Sequence, residues 1–292
     1  MNIFEAAEIA KEKAFIRPQT DGRLSGKITI ITGGAQGFGL GIAKEMYCQG
    51  ASLVLADLPV QAVAGEEAAK SLGERAIFLP VDVTDESSVE AIVCATVEHF
   101  GGLDIMVANA GVVKAGPLDN FEKKDLDFVT AVNYTGYFLC AKYASIVMKA
   151  QYEANPDLFS DIIQINSKSG LTGSKNNFAY AGSKFGGIGL TQSFALELAP
   201  WQIKVNSICP GNFYDGPLWS DPDKGLFVQY LKAGKVPGAK TVEDVKNYYL
   251  SLAPIKRGCT PKDVSKALFY CVEQEYETGQ ALPVTGGQIM MN

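Results

Sequence analysis

Short apolar runs alternate with segments of helical length along the chain from Lys27 onward, and this alternation constrains the fold more than any other feature. The candidate strands are 27–32, 52–56, 76–81, 103–108, 161–166, 203–208 and 280–284. Several of them are continuous β-branched or apolar runs, as expected for strands buried on both faces. The candidate helices are 38–49, 60–72, 85–100, 121–150, 178–199 and 261–273. The alternation predicts right-handed βαβ units and a three-layer, doubly wound α/β domain with a parallel sheet.

Two stretches of the chain do not follow this strand–helix alternation. Residues 1–25 are predicted to form an N-terminal arm that precedes a single domain over 26–292. We expect a short helix in this arm, with one side formed by Ile3, Phe4, Ala7, Ile9 and Ala10. Its apolar side is expected to pack on the body of the domain or on a neighbouring subunit.

The second stretch, 209–250, is too long for a plain connection and is rich in proline, glycine and aromatic residues. Its aromatic residues are Phe213, Tyr214, Trp219, Phe227 and Tyr230. We interpret the segment as a lid with short helices that covers a substrate; a purely structural insertion is the alternative.

Composition limits the classes of partner. The net charge of −6 and the pI of about 5.0 argue against binding to nucleic acid. No apolar run is long enough for a membrane span, and the acidic N-terminus lacks an apolar signal core, so we expect a cytoplasmic protein. His99 is the only histidine, and the six cysteines lack metal-ligand spacing, so neither a metal site nor a histidine-based triad is expected.

A glycine-rich turn follows the first candidate strand and opens the first candidate helix. Glycines allow a tight turn there and let backbone N–H groups approach a pyrophosphate, and the helix N-terminus favours negative charge. The turn therefore predicts a dinucleotide site of the Rossmann type, although a plain turn is the alternative. The candidate cofactor-binding residues of this turn are Gly33, Gln36, Gly37, Phe38 and Gly39.

Further candidates end the next three strands, at the sheet edge where open α/β sheets bind ligands. Asp57 is placed to accept hydrogen bonds from the ribose hydroxyls of NAD, and no arginine follows it to hold a 2′-phosphate. The sequence thus favours NAD, unless Asp57 merely caps the next helix. The other predicted cofactor contacts are Asp82 and Val83 at the adenine, and Asn109 and Gly111 after the fourth strand.

Tyr180 and Lys184 lie four residues apart in a candidate helix, and Ser167 lies thirteen residues upstream. This spacing puts both side chains on one helix face, one turn apart. A fixed ammonium beside a phenol favours the phenolate, so we expect Lys184, helped by a cationic cofactor, to lower the pKa of Tyr180. The pair is a candidate general acid/base that works at neutral pH.

Together these residues resemble the classical short-chain dehydrogenase/reductase family over residues 27–290. The matching positions are Thr32–Gly39, Asp57, Asp82, Asn109–Gly111, Asn133, Ser167, Tyr180, Lys184, Pro210, Gly211 and 283–287. The resemblance implies that Tyr180 is the general acid/base, that Lys184 lowers its pKa and holds the cofactor ribose, and that Ser167 binds the substrate oxygen. It also implies a relay water held by the backbone carbonyl of Asn133, cofactor contacts at Pro210 and Gly211, and a homotetramer.

Within the family, a closer resemblance is to dehydrogenases of phosphorylated sugar alcohols, carried by the runs 164–170, 184–187 and 284–288. It implies an NAD-dependent oxidoreductase that interconverts a sugar alcohol phosphate and a keto sugar phosphate. Such a substrate needs a cationic anchor, and the candidates are Lys114, Lys168 and Lys175. The alternatives are a dehydrogenase of an unphosphorylated polyol or other secondary alcohol and, from another class, a non-catalytic dinucleotide-binding regulator.

Overall fold

The computed structural model describes residues 1–291; Asn292, the last residue of the predicted domain, lies outside the described residues. Seven parallel strands form one sheet in the order β3-β2-β1-β4-β5-β6-β7. The strands are β1 (Ile28–Thr32), β2 (Ser52–Asp57), β3 (Ala76–Pro80), β4 (Ile105–Ala108), β5 (Ser160–Ile165), β6 (Ile203–Pro210) and β7 (Ala281–Val284). All seven predicted strands are confirmed, with ends that differ by at most two residues. The predicted doubly wound α/β fold is also confirmed.

Helices cover both faces of the sheet. The helices are α1 (Ile3–Glu12), α2 (Gly37–Cys48), α3 (Ala62–Leu72), α4 (Glu86–Phe100), α5 (Lys123–Thr130), α6 (Gly136–Ala154), α7 (Phe178–Leu198), α8 (Pro217–Ser220), α9 (Leu226–Lys232), α10 (Val242–Ser251) and α11 (Pro261–Glu273). One apolar cluster joins the sheet to α4, α6 and α7, and a second joins it to α2, α3 and α11. Strands β1, β2, β4, β5 and β6 are buried along their whole length because both faces are covered.

The prediction of a single helix over 121–150 is wrong in one respect. Helix α5 passes into a π-helical turn at Ala131–Thr135 before α6 begins. Gly136 N–H donates to the carbonyl of Ala131, five residues back. Turns of this kind are frequent at functional sites, and periodicity alone does not reveal them because the chain continues as helix on either side.

The N-terminal helix packs on the body of its own chain. A capping box starts it: Asn2 Oδ1 accepts from Glu5 N at 3.0 Å, and Glu5 Oε2 accepts from Asn2 N at 2.9 Å. Ile3, Ala6 and Ala10 are buried in the cluster shared with α4 and α6, whereas Phe4 is 71% exposed. The apolar side was therefore predicted correctly except at Phe4.

The 209–250 segment contains the short helices α8, α9 and α10, as predicted. It has an apolar cluster of its own, which includes Tyr214, Trp219, Phe227, Tyr230 and Tyr249. Its first residues reach the glycine-rich turn, where the rings of Phe38 and Phe213 lie 4.9 Å apart between centroids. No helix within residues 1–291 is long and apolar enough to cross a membrane.

Candidate active site

The glycine-rich turn lies between the end of β1 and the start of α2. Gly33 and Gly37 have φ of 64° and 58°, a region that favours glycine. A methyl group on Gly39 would overlap the carbonyl oxygen of Gly33 and lie 2.6 Å from Asn109 Nδ2. Gln36 precedes the helix without a side-chain cap, and the first turn carries no acidic residue. The turn therefore fits a pyrophosphate, because it is open to close approach and leaves backbone N–H donors uncapped.

Asp57 ends β2 beside this turn and is 7% exposed. Its Oδ2 accepts from Ala35 N at 3.1 Å, and its Oδ1 accepts from Leu58 N at 2.8 Å. The carboxylate does not cap the following helical segments, which start at Pro59 and at α3 without any side-chain cap. The helix-cap alternative for Asp57 is therefore wrong, and the carboxylate is fixed against the glycine-rich turn.

The remaining predicted adenine and ribose contacts lie on the same sheet edge. Asp82 Oδ1 accepts from Thr84 N at 2.9 Å and from Thr84 Oγ1 at 2.7 Å. Val83 is buried and faces Gly136, where an added methyl would lie 2.9 Å from Val83 Cγ2. The turn after β3 and the start of α6 are thus tightly packed together.

Asn109 uses its side chain to hold the glycine-rich turn. Its Nδ2 donates to the carbonyls of Thr32 at 2.8 Å and Gly33 at 3.1 Å. Both amide hydrogens are occupied, so the side chain joins the ends of β1 and β4. Gly111 lies further along this turn. At the end of β6, Pro210 is the last strand residue and Gly211 follows it, and Gly211 N donates to Val284 O at 2.9 Å.

Helix α7 carries Tyr180 in its first turn and Lys184 in the next. Lys184 is 3% exposed, its Nζ donates to the carbonyl of Ile165 at 2.9 Å, and this Nζ lies 5.6 Å from the centroid of the Tyr180 ring. Asn166 Nδ2 donates to the carbonyl of Lys184 at 2.9 Å and so ties α7 to the end of β5. The structure therefore brings the predicted Tyr–Lys pair together at the carboxyl edge of the sheet.

Burial dominates the titration of this pair. It lowers the pKa of Lys184 to about 8 and raises the pKa of Tyr180 above its ordinary value, and only a hydrogen bond with Ser167 opposes the rise for Tyr180. The protein side chains alone thus leave the pKa of Tyr180 raised, and its lowering by Lys184 together with a cationic cofactor stays a prediction. A further positive charge is needed to favour the phenolate.

Asn133 lies in the π-helical turn and is 2% exposed. Its Oδ1 accepts from Val112 N at 2.8 Å, and its Nδ2 donates to Val112 O at 3.0 Å and to Ser183 Oγ at 3.1 Å. A cavity of about 10 Å³ lies beside it, bordered also by Thr32, Gln164 and Lys184. This space is close to what one water molecule requires, and its lining supplies polar partners.

The three predicted phosphate anchors have different environments. Lys168 is half-buried, and its Nζ donates to Gln288 Oε1 at 3.1 Å. Lys114 instead pairs with Asp125, at 3.5 Å, and Lys175 is exposed. Only Lys168 therefore lies half-buried beside Ser167 without an acidic partner within the described chain.

Sequence reasoning assigned no role to Lys235 and named Tyr230 and Gln288 only within longer segments. Burial raises the pKa of Tyr230, whose ring packs against those of Trp219 and Tyr249. Burial, and to a smaller extent the charge of Lys168, lower the pKa of Lys235 to about 8. No local signal marks a lone lysine in the lid, because its neighbourhood depends on how the lid folds back.

Comparison with known proteins agrees with this geometry. The short chain dehydrogenase family model matches residues 27–221, and the chain belongs to this family. It is an oxidoreductase of that family, whose members bind a nicotinamide dinucleotide, so the prediction of an enzyme is confirmed.

Similar proteins match nearly end to end. The sorbitol-6-phosphate 2-dehydrogenase of Escherichia coli is 37% identical over 270 residues, which cover 90% of this chain and 99% of that protein. The crystal structure of the sorbitol-6-phosphate 2-dehydrogenase of Erwinia amylovora has a TM-score of 0.81 and 39% identity, covering 90% of this chain and 100% of that one. A hydroxynaphthalene reductase-like protein of Metarhizium acridum is 32% identical over 276 residues, which cover 91% of this chain and 96% of that protein.

Proposed function

We propose that this enzyme is an NAD-dependent dehydrogenase that interconverts a sugar alcohol phosphate and a keto sugar phosphate, of the sorbitol 6-phosphate and fructose 6-phosphate type. The observation that carries the proposal is the half-buried ammonium of Lys168, next in sequence to Ser167 and on the same sheet edge as Tyr180 and Lys184. A phosphate monoester needs such a cation. Two similar proteins named sorbitol-6-phosphate 2-dehydrogenase support the same substrate class.

The acid/base work falls to Tyr180. In the oxidation its phenolate takes the proton of the substrate alcohol, and in the reduction its hydroxyl donates a proton to the carbonyl oxygen. Ser167, whose interaction with Tyr180 opposes the rise in the tyrosine's pKa, would orient the substrate oxygen. A bound nicotinamide would supply the hydride chemistry and, in its oxidised form, a positive charge that favours the phenolate of Tyr180.

Lys184 and Asn133 complete the proton path in this proposal. The ammonium of Lys184 is fixed by the carbonyl of Ile165, one helical turn from Tyr180. The cavity between Lys184 and Asn133 has the size and polar lining for one water molecule, which supports the relay role of Asn133. The π-helical turn fixes Asn133 at this cavity.

NAD is the proposed cofactor. The residues that would hold it are those of the glycine-rich turn together with Asp57, Asp82 and Gly211. Asp57 is fixed against the turn and is followed by Leu58 and Pro59 rather than by a basic residue, so a 2′-phosphate would meet an unopposed carboxylate.

We expect Asp57→Asn to weaken the preference for NAD over NADP. Removing the charge keeps the side chain's shape but loses a charged hydrogen bond, so the ratio of kcat/KM values should fall about 10- to 100-fold. Initial rates with each cofactor measure this ratio, and thermal melting checks the fold. Asp157→Asn, at an exposed position, is the control. An unchanged ratio in Asp57→Asn would contradict the assignment.

The substrate class is tested by initial rates with NAD and a panel of sugar alcohols, each with and without a terminal phosphate, followed by the near-ultraviolet absorbance of reduced nicotinamide. We expect kcat/KM to be at least about 100-fold higher for a phosphorylated polyol, as removal of a charged contact predicts. A ratio near one would establish the free-polyol alternative instead.

We also propose a cytoplasmic homotetramer. Helices α5, α6 and α7 carry apolar side chains that stay exposed on the single chain, among them Phe128, Phe138, Phe185 and Leu196, the last 83% exposed. Exposed apolar patches of this kind are typical of subunit contacts. Sedimentation of the purified enzyme gives its oligomeric state.

A further inference from the structure

The end of strand β5 carries a buried polar side chain to which the proposed proton path gives no role. Asn166 directly precedes Ser167 and is 4% exposed. Its Oδ1 accepts from Ser167 N at 2.8 Å. Its Nδ2 donates to the carbonyl of Lys184 at 2.9 Å and to Gln164 Oε1 at 2.7 Å. One buried amide is therefore bonded to the main chain of both Ser167 and Lys184.

The orientation of this amide is fixed by its partners. Ser167 N can only donate a hydrogen bond, and the carbonyl of Lys184 can only accept one. The oxygen of the Asn166 amide must therefore face Ser167, and its nitrogen must face Lys184. Both hydrogens of Nδ2 are used, one for Lys184 O and one for Gln164 Oε1. Leucine has a similar size but neither the donor nor the acceptor, so the bonding pattern selects asparagine at this position.

Lys184 is held at both of its ends by consecutive residues of the chain. Its Nζ donates to the carbonyl of Ile165 at 2.9 Å, whereas its own carbonyl accepts from the side chain of Asn166. The first bond fixes the ammonium, and the second fixes the turn of α7 that carries it. Tyr180 lies one turn earlier on the same helix. Without the second bond, this part of α7 would be free to shift against the end of β5.

Ser167 lies between two hydrogen bonds that each join a side chain to the main chain. Its N–H donates to Asn166 Oδ1, and its own Oγ accepts from Ser169 N at 3.1 Å. A methyl group on Gly170 would overlap Asn166 Oδ1, so the turn after Ser167 packs directly on the amide. The direction of the Ser167 hydroxyl therefore depends on where the amide of Asn166 is held.

A second buried amide keeps Asn166 in place. Gln164 is 2% exposed, and its Oε1 accepts from Asn166 Nδ2 and from Ser207 Oγ, the latter at 3.0 Å. Ser207 Oγ is hydrogen-bonded in turn to Thr191 Oγ1 of α7 at 2.7 Å. Gln164 also borders the water-sized cavity beside Lys184. Buried hydrogen-bond networks of this kind rigidify the groups that they join.

We propose that Asn166 is a positioning residue that sets the placement of Ser167 relative to Lys184, and that Gln164 orients its amide. The inference deepens the proposed function, on which the roles of Ser167 and Lys184 rest. Both amides act through these residues rather than on the substrate. A displacement of about 1 Å at a reacting group can lower a rate about 100-fold, so the loss of this amide should lower kcat as well as stability.

The kinetic test measures kcat against pH in Asn166→Leu, with the secondary alcohol that the wild type oxidises fastest. We expect kcat at neutral pH to fall about 10- to 100-fold. We also expect the apparent pKa of the pH–rate profile to rise by at least about 0.5, because a displaced Lys184 favours the phenolate of Tyr180 less. A kcat within about threefold of the wild type together with an unchanged profile would overturn the inference.

Asn206→Leu is the matched control for a purely structural effect. Asn206 is 1% exposed on β6, which pairs with β5, and its Oδ1 accepts from Gln280 N at 2.9 Å. Both leucine variants should lose stability in urea unfolding, because each loses buried hydrogen bonds. Asn206→Leu should nevertheless keep kcat within about twofold of the wild type, with an unchanged pH profile. Equal changes of kcat and profile in the two variants would leave Asn166 only a structural role.

A double variant tests whether Asn166 acts through Ser167. We expect Asn166→Leu to lower kcat by a factor at least about threefold smaller in the Ser167→Ala background than in the wild type, because the hydroxyl to be positioned is then absent. Equal factors in the two backgrounds would contradict this. If Asn166→Leu does not fold, Asn166→Ser replaces it throughout, since the shorter side chain fills no extra space and cannot bridge the same partners.

These outcomes are separate from those of the proposed function. The experiments use any secondary alcohol that the enzyme oxidises, so they stand if the preferred substrate carries no phosphate. An unchanged kcat in Tyr180→Phe would refute the proposed acid/base scheme. An unchanged kcat and profile in Asn166→Leu, beside an inactive Tyr180→Phe, would refute the positioning role alone.

Discussion

Tyr180→Phe is expected to lower kcat about 1,000-fold or more while leaving the affinity for NAD nearly unchanged, because general acid/base catalysis contributes at about this level. The substitution removes one oxygen from a half-buried side chain and keeps the ring beside Lys184. Steady-state rates with the best polyol substrate measure kcat, and quenching of protein fluorescence by NAD measures binding.

Tyr276→Phe is the control for this experiment, since Tyr276 is fully exposed. A kcat of Tyr180→Phe within about tenfold of the wild type would show that Tyr180 does not move the proton. The roles assigned to Ser167, Lys184 and Asn133 would then fail with it, because each acts through this hydroxyl.

The second large effect concerns stability. Lys204→Met is expected to destabilise the fold by about 3–5 kcal/mol, the usual result of removing one partner of a buried ion pair. Lys204 Nζ donates to the carbonyls of Cys271 at 2.5 Å, Val272 at 3.0 Å and Gln274 at 2.9 Å, and so caps the end of α11. It also lies 3.1 Å from the fully buried Asp161. The variant loses the cap and leaves Asp161 without its cation.

The loss of stability in Lys204→Met should depend on pH. Burial raises the pKa of Asp161 to about 6, and Lys204 opposes that rise. A carboxyl whose pKa is higher in the folded state favours folding below its ordinary pKa, and this contribution is lost as the pH rises through about 6. Without Lys204 the ionised form is still less favourable, so the destabilisation should be smaller at about pH 5 than at about pH 8.

Urea unfolding at the two pH values measures this difference. Lys266→Met, an exposed lysine of α11, is the control and should cost little at either pH. Adding Asp161→Asn to Lys204→Met should recover part of the lost free energy of unfolding, because the double variant has no unpaired carboxylate at position 161. A variant as stable as the wild type at both pH values would contradict the role given to Lys204.

Much of the fold could be predicted from the sequence because strands and helices here follow local burial. Runs such as Ile28–Thr32 are apolar throughout since both faces of the central strands are covered, and this pattern is visible without any contact information. The boundary between α5 and α6 could not be read in this way. The π-helical turn at Ala131–Thr135 adds a residue to the turn without changing the helical character of its neighbours.

In the candidate site, too, some features could be predicted from the sequence and others could not. Gly33, Asp57, Asn109 and Tyr180 could be proposed from the sequence because each follows a strand or opens a helix, and strand ends in a parallel sheet share one edge. Lys114 and Lys175 were placed on the same edge by that reasoning, yet the first pairs with Asp125 and the second is exposed. Position along the chain gives the edge of the sheet but not the direction in which a long side chain extends.

The order of the elements, the glycine-rich turn and the spacing of Tyr180 and Lys184 could be read from the chain alone, because all of these are local or periodic properties. Packing was needed to show that Lys168 reaches Gln288, 120 residues further along the chain, and that burial raises the pKa of Tyr180. Burial and the meeting of distant side chains depend on how loops close and layers pack, and no short stretch of sequence encodes either.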